Sequence, residues 1–428
     1  MIFHRLLVIF VAVLQVSPSS KWILELGDNF IDVRKDGGYW LVKFYTPWCG
    51  QCKRLEPIWA HVVQALKNTH VRVGKVDCTI FPNVGKAFDV TTYPTIKLVK
   101  ADDDFTFEGE KTTEEIINFA IRMSGPPVQL VTRHESLTNI KSMNQLFFMY
   151  VGETEGLLWN TFYDIASKFQ AHAFYYAASE EIARKHVDLH KLPAVFVHKE
   201  NSHYVYSVAE GDNAIEAEHI NDTMHKFINE ERFESFPKIT EANINEVLRT
   251  RKYIVIVVVE ENKLLQVPKE MVEFRDSIKS LAKEKRHAYH DYFQFAWTNS
   301  HELANNIVMQ IVPLPYLIVL NSTTLEHHVP DDDPVQMSPD AIEYFLKTIL
   351  EGTAPVYGGD HLSMRLYRTY FKARTTLADR WKGNPVLTTV LLGLPLGFFT
   401  FILYSCCCAN ILDADEDEEE DLRHEKKD

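Results

Sequence analysis

Apolar residues fall in short blocks along most of this chain and in one long block near its end. The run Trp40-Leu41-Val42-Lys43-Phe44-Tyr45 is rich in aromatic and branched side chains and predicts a buried strand. The next block, Lys53 to Val63, places Leu55, Ile58, Trp59 and Val62 at helical spacing and predicts an amphipathic helix. A further helix is predicted over Thr113 to Met123 and a further strand over Tyr253 to Val259. One pattern, a proline followed by an apolar strand, recurs three times. It stands at Tyr93-Pro94-Thr95-Ile96-Lys97-Leu98-Val99, at Leu192-Pro193-Ala194-Val195-Phe196-Val197 and at Leu314-Pro315-Tyr316-Leu317-Ile318-Val319-Leu320. Such repetition points to three units of one architecture.

The ends of the chain carry different patterns. A basic start, an apolar core over Leu6 to Leu14 and the small residues Ser17 to Ser20 predict a secretory signal over residues 1–20. Val386 to Leu412 is apolar and free of charge, longer than the ~20 residues a spanning helix needs. A signal followed by one span predicts a type I membrane protein, with everything up to the span in the lumen. One feature opposes that orientation: Arg365, Arg368, Lys372, Arg374, Arg380 and Lys382 crowd the luminal flank. Long domains translocate largely regardless of charge, so the signal decides.

Turn chemistry divides what lies between. Ser124-Gly125-Pro126-Pro127, Glu234-Ser235-Phe236-Pro237 and Glu351-Gly352-Thr353-Ala354-Pro355 separate units at 21–126, 127–235 and 236–355. A basic linker over 356–384 leads to the span at 385–411, and an acidic tail over 412–428 follows on the cytosolic side. The run Asp413 to Asp421 in that tail predicts a disordered, solvated segment. Cys406, Cys407 and Cys408 are juxtamembrane candidates for palmitoylation, with apolar filler the equal alternative. Lys426 sits third from the end, where a dilysine retrieval signal has a lysine, although His424 and Glu425 stand where the second is expected. Asn221-Asp222-Thr223 and Asn321-Ser322-Thr323 are N-glycosylation sequons in the luminal part. With a net charge of −14, no nucleic-acid partner is expected.

The chemistry concentrates in Trp48-Cys49-Gly50-Gln51-Cys52-Lys53, between the first strand and its helix. Cys49 falls at the helix start, where free N–H groups and the helix dipole favour a thiolate. Cys52 lies one turn on, close enough to form a disulfide with Cys49. An exposed attacking sulfur with a shielded resolving partner is the arrangement that thiol–disulfide exchange requires. A zinc site needs two more ligands, and the remaining cysteine in this region, Cys78, supplies no second pair, so no metal is expected. No cofactor is expected beyond the Cys49–Cys52 couple. The second and third units contain no cysteine, which leaves them spacing and client binding.

Phe44 to Lys53, Lys75-Val76-Asp77 and Thr92-Tyr93-Pro94-Thr95-Ile96 together resemble a thioredoxin domain of the protein disulfide isomerase family. The resemblance implies an α/β chain of three tandem thioredoxin-like domains, the first catalytic and two non-catalytic, with one C-terminal transmembrane helix. It implies a cis bond before Pro94 and a client cleft framed by Trp48 and Tyr93. For Pro193 and Pro315 an ordinary proline at a strand's first residue is the alternative. Pro57 matches the proline that kinks the active-site helix in thioredoxins.

Three positions depart from the family. Gln51 stands where the isomerases have histidine, which implies a higher Cys49 pKa and a more reducing couple. Lys43 occupies the place of a buried acid beneath the second cysteine. It either snorkels to solvent, the favoured expectation, or is desolvated and serves as the base. Lys75, the usual partner of that acid, would then lack a counter-charge. Lys111 stands near the place of a mobile arginine and supplies charge without the planar fork. The expectation is a slow, membrane-anchored thiol–disulfide oxidoreductase of the endoplasmic reticulum. Its partners would be unfolded or disulfide-containing client proteins and an unidentified redox partner. The alternative is a non-catalytic client-binding or adaptor protein of the same membrane.

Overall fold

The computed structural model describes residues 23–424 apart from 102, 188, 190, 208–216 and 263–265. The expected signal (1–20) and Lys426 lie outside the described residues.

Three five-stranded sheets follow one another along the chain. The first is built from β1 (Leu24–Glu25), β2 (Tyr39–Tyr45), β3 (Val71–Asp77), β4 (Thr95–Lys100) and β5 (Asp103–Thr106), in the order β1-β3-β2-β4-β5. β2 pairs parallel with β3 and antiparallel with β4. The second sheet has the same order, with β6 (Gln129–Val131), β7 (Leu146–Val151), β8 (Phe174–Ala178), β9 (Ala194–Lys199) and β10 (Ser202–Val205) arranged β6-β8-β7-β9-β10. In the third, β11 (Tyr253–Val258), β12 (Phe293–Thr298), β13 (Tyr316–Asn321), β14 (Glu326–His328) and β15 (Tyr357–Gly358) run β12-β11-β13-β14-β15. Its opening strand is reduced to one parallel bridge, Lys238 with Trp297, and β15 covers the opposite edge instead. Tyr93–Pro94, Leu192–Pro193 and Leu314–Pro315 are all cis, and the strands that follow them, β4, β9 and β13, each pair antiparallel with the central strand of their sheet, equivalent positions of one fold.

Each sheet is buried on both faces, and the period of two along a strand decides what each face contains. In β2, Trp40, Val42 and Phe44 pack with Phe30 and Phe88 on one side. Leu41 packs with Trp59, Val62 and Phe119 on the other, beneath the helix Gly50–Leu66. Lys43 shares that second face, a polar group on an otherwise apolar surface.

Polar contacts join the units. Arg122 donates to the Ala171 carbonyl at 2.7 Å, and Gln170 returns a 2.6 Å bond to the Arg122 carbonyl across the first junction. At the second, the buried Glu231 carboxylate meets Lys199 at 2.8 Å, His290 at 2.7 Å and Arg286. Burial opposes charge on Glu231, but the His290 hydrogen bond and the charges of Lys199 and Arg286 outweigh it and hold the carboxyl far below its ordinary range.

Residues 356–384, expected as a basic linker, are ordered. They supply β15 and then the 22-residue helix Leu362–Gly383. Asn384 is extended (φ −156°, ψ 91°), and a last helix runs from Pro385 to His424. Its apolar part, Pro385–Ser405, is 21 residues long, enough for one membrane span. The acidic run beyond it, expected to be disordered, continues the helix to His424. Once a helix is nucleated, each further residue adds a hydrogen bond for one residue ordered, and glutamate is a good helix former.

Candidate active site

The helix over residues 50–66 starts earlier than its apolar spacing suggested, because Cys49 is itself the N-cap (φ −74°, ψ 113°). Its Sγ accepts the backbone N–H of Cys52 at 3.1 Å, one of the donors that a helix start leaves without an intrahelical partner. Cys49 and Cys52 are joined as a disulfide with 5.3 Å between their Cα atoms. Cys49 Sγ also lies 3.6 Å from the Tyr93 carbonyl oxygen, the atom that precedes cis-Pro94. Both sulfurs are shielded in this oxidised form, Cys52 the more deeply, so the attacking residue is less open than expected. What stands open is Trp48, 73% exposed, with its ring edge-on to Tyr93 at 6.4 Å. Gln51 is exposed beside the disulfide.

Beneath the helix, the expectation for Lys43 is overturned. Its side chain does not snorkel: it is fully buried, with Nζ 2.5 Å from Glu56 Oε2 and lying over the rings of Tyr45 and Trp59 at 5.4 and 5.5 Å. A central strand, walled by neighbours on both sides, leaves a lysine stem no path to water. The ammonium therefore needs a local carboxylate, and the helix supplies it one turn after Cys52. Burial pulls the Lys43 pKa down; Glu56 offsets part of this, and neighbouring Lys75 adds to it.

Lys75 is Lys43's register partner on β3, and its expected lack of a counter-charge is likewise corrected: Glu25 holds it at 3.0 Å. Burial disfavours charge on Lys75, but Glu25, Tyr45 and Glu56 outweigh it and raise its pKa. Two like charges thus sit side by side because each has its own carboxylate. Lys111 is half-buried just before the helix Thr113–Ser124, and burial lowers its pKa. No ion pair reaches it among the described residues.

Glu56 and Glu25 were missed from the sequence. Glu56 falls on the polar side of its helical pattern and is 51% exposed, so only its spacing of four from Cys52 could have drawn notice. Cys78 is buried, its thiol turned to the Tyr93 phenol, and burial raises its pKa.

The sequons take different settings. Asn221 is half-buried on the helix Ala217–Glu231, where the Thr223 hydroxyl is 2.6 Å from that of Tyr206. Asn321 ends β13, and its side-chain oxygen accepts the Thr323 N–H at 2.9 Å. Cys406 to Cys408 lie on the last helix.

A family model described as thioredoxin matches residues 25–122, and one described as a thioredoxin-like domain matches residues 153–348, spanning parts of the second and third sheets. Protein disulfide-isomerase TMX3 of Xenopus laevis is 31% identical over 94% of this chain and 85% of its own length. The TMX3 of Homo sapiens shows the same identity and coverage. A protein disulfide-isomerase of Drosophila melanogaster is 23% identical over 88% of this chain and 71% of its own. With three thioredoxin-like sheets and a cysteine pair at the first helix start, the chain belongs to the protein disulfide-isomerase family and is a thiol–disulfide oxidoreductase.

Proposed function

We propose that Cys49 and Cys52 carry this activity on protein clients in the lumen of the endoplasmic reticulum, with Pro385–Ser405 anchoring the chain in its membrane. The observation that carries the reading is Cys49 Sγ, held by the Cys52 N–H at a helix start and beside the Tyr93 carbonyl. In the reduced form, the Cys49 thiolate attacks a client disulfide. One client sulfur leaves as thiolate and takes up a proton, while the other remains in a mixed disulfide with Cys49. Cys52 then loses its proton and attacks Cys49 Sγ, which releases the second client thiol and leaves the Cys49–Cys52 disulfide. Two electrons pass from enzyme to client; the reverse sequence oxidises the client.

Trp48 and Tyr93 offer the client an aromatic rim, and Pro94 follows the carbonyl that lies against the reacting sulfur. Turnover is slow in this reading for two reasons. Gln51 brings no positive charge to the Cys49 thiolate. The charged group under the helix, Lys43, accepts the Cys52 proton only when its own is off.

Measuring the redox potential and dithiol oxidation rate of the full chain tests the proposal. Turnover lost in Cys49→Ala supports it. A wild-type chain with no turnover but retained client binding supports the adaptor reading in its place. Orientation is read separately: a glycan at Asn221 or Asn321, removed by glycosidase, marks the luminal side. An unglycosylated chain whose Cys49 reacts with cytosolic thiol reagents sinks it.

A further inference from the structure

The helix Leu362–Gly383 shows two faces that belong to different environments. Phe371 is buried on one side, where the helix packs alongside His301–Val308 and Arg368 donates to the Gly359 carbonyl at 3.1 Å. The other side presents Leu362, Leu366, Tyr370, Leu377 and Trp381, each between 42% and 74% exposed. On a helix these five fall within an arc of about 100°, so they form one stripe rather than scattered contacts. A continuous apolar stripe in water signals a missing neighbour.

Charge identifies the neighbour. This helix carries six basic residues and one acidic one in a chain whose net charge is −14. Arg365 and Arg368 are answered by Asp360. Lys372, Arg374, Arg380 and Lys382 have no ion pair among the described residues. Arg374 borders the stripe on one flank and Arg365 on the other, Arg380 sits at its edge, and Lys372 and Lys382 turn away from it. Aromatic rings and long cationic stems around an apolar stripe suit the boundary between headgroups and acyl chains.

Position narrows the choice further. The apolar helix begins at Pro385, two residues after this one ends, and Asn384 between them is extended. Trp381 is therefore close to wherever Pro385 enters the membrane. The chain's own acidic run cannot occupy the stripe. It starts at Asp413 on the same unbroken helix, about 42 Å along the axis from Pro385 at about 1.5 Å per residue.

We propose that Leu362–Gly383 lies along the luminal bilayer surface, with its apolar stripe among the headgroups and the unpaired cations beside the stripe, Arg374 and Arg380, on phospholipid phosphates. The third domain covers the helix's other side, so the contact also sets how the luminal units stand over the membrane. It accounts for the basic flank that runs against the usual charge bias of a type I protein: these cations serve a surface rather than orientation. The inference rests on the reading of Pro385–Ser405 as the span.

The test uses the full chain in nanodiscs of phosphatidylcholine with and without phosphatidylserine. A benzophenone amino acid is introduced at Leu366, at Leu377 and, as the span's own reporter, at Leu392. Phospholipid adducts from Leu366 and Leu377, several-fold more abundant with phosphatidylserine, are expected. Combining Arg374→Gln and Arg380→Gln is expected to abolish that enhancement, and Lys372→Gln alone to leave it. Lipid adducts at Leu392 with none at Leu366 or Leu377 overturn this inference alone. Adducts there to a second copy of the chain or to another protein do the same. No lipid adduct at Leu392 overturns the span reading, and this inference with it.

Discussion

Lys43, fully buried in the central strand of the first domain, forms a 2.5 Å ion pair with Glu56, one turn beyond Cys52 on the active-site helix. The pair puts a cation beneath the active-site helix and places the carboxylate on that helix, where it is half exposed. It also couples the redox site to the strand behind it, because Glu56 and Cys52 share one stretch of helix.

Replacing Lys43 tests whether its amine serves Cys52. Because burial lowers the Lys43 pKa from 10.5, the unfolded chain holds this proton at pH values where the folded chain releases it. Stability therefore rises with pH across the window below 10.5. Resolution of the mixed disulfide is expected to accelerate over the same window. Lys43→Met should flatten both trends, read by urea denaturation and by rapid-quench resolution kinetics. A variant that keeps the alkaline acceleration rules the amine out.

Glu56→Gln leaves the ammonium buried without its carboxylate. A fully buried pair broken this way costs about 3–5 kcal/mol, but Glu56 meets solvent, so a loss of about 1 kcal/mol is expected. Combining it with Lys43→Met should recover most of that loss. A double variant no more stable than Glu56→Gln would show that the stranded ammonium is not the source of the loss.

Gln51→His is expected to make the couple more oxidising, because an imidazolium beside Cys49 favours the thiolate and hence the reduced form. A shift of about 30 mV corresponds to tenfold in the equilibrium constant. Equilibration with glutathione measures it, and an unchanged potential would remove charge at this position from the account.

Trp48→Ala should weaken client docking and leave the potential alone, since the ring is 73% exposed and stands edge-on to Tyr93. The expected signature is a KM several-fold higher for a peptide disulfide at little change in kcat. A changed potential with unaltered KM would place Trp48 in the redox centre.

Glu231→Gln removes the carboxylate shared by Lys199, Arg286 and His290 and leaves Lys199 buried unpaired. A loss of about 3–5 kcal/mol is expected in urea denaturation. In the wild type, the depressed Glu231 pKa means this contribution is complete above the ordinary value of 4.5 and fades as pH falls toward the folded value. The variant should therefore show a shallower acid transition.

Much of the fold was legible because its signals are local. Alternating apolar runs, helical spacing after Cys49 and the repeated proline-led strand all lie within a few residues, and each is dictated by backbone geometry. Leu362–Gly383 was not legible as a helix, because its six cations interrupt the apolar spacing and dominate the pattern. The third sheet's rearranged edge was hidden for a related reason: a two-residue strand carries too little pattern to be seen.

At the site, the sequence by itself determined the reacting pair, its place at a helix start and the absence of the usual histidine at Gln51. The surroundings of those sulfurs were decided only by the tertiary structure. Whether Lys43 reaches water depends on what covers β2. Whether Lys75 is paired depends on Glu25, fifty residues away in the chain. The energy of a charge depends on distance and burial, and neither follows from spacing along the chain.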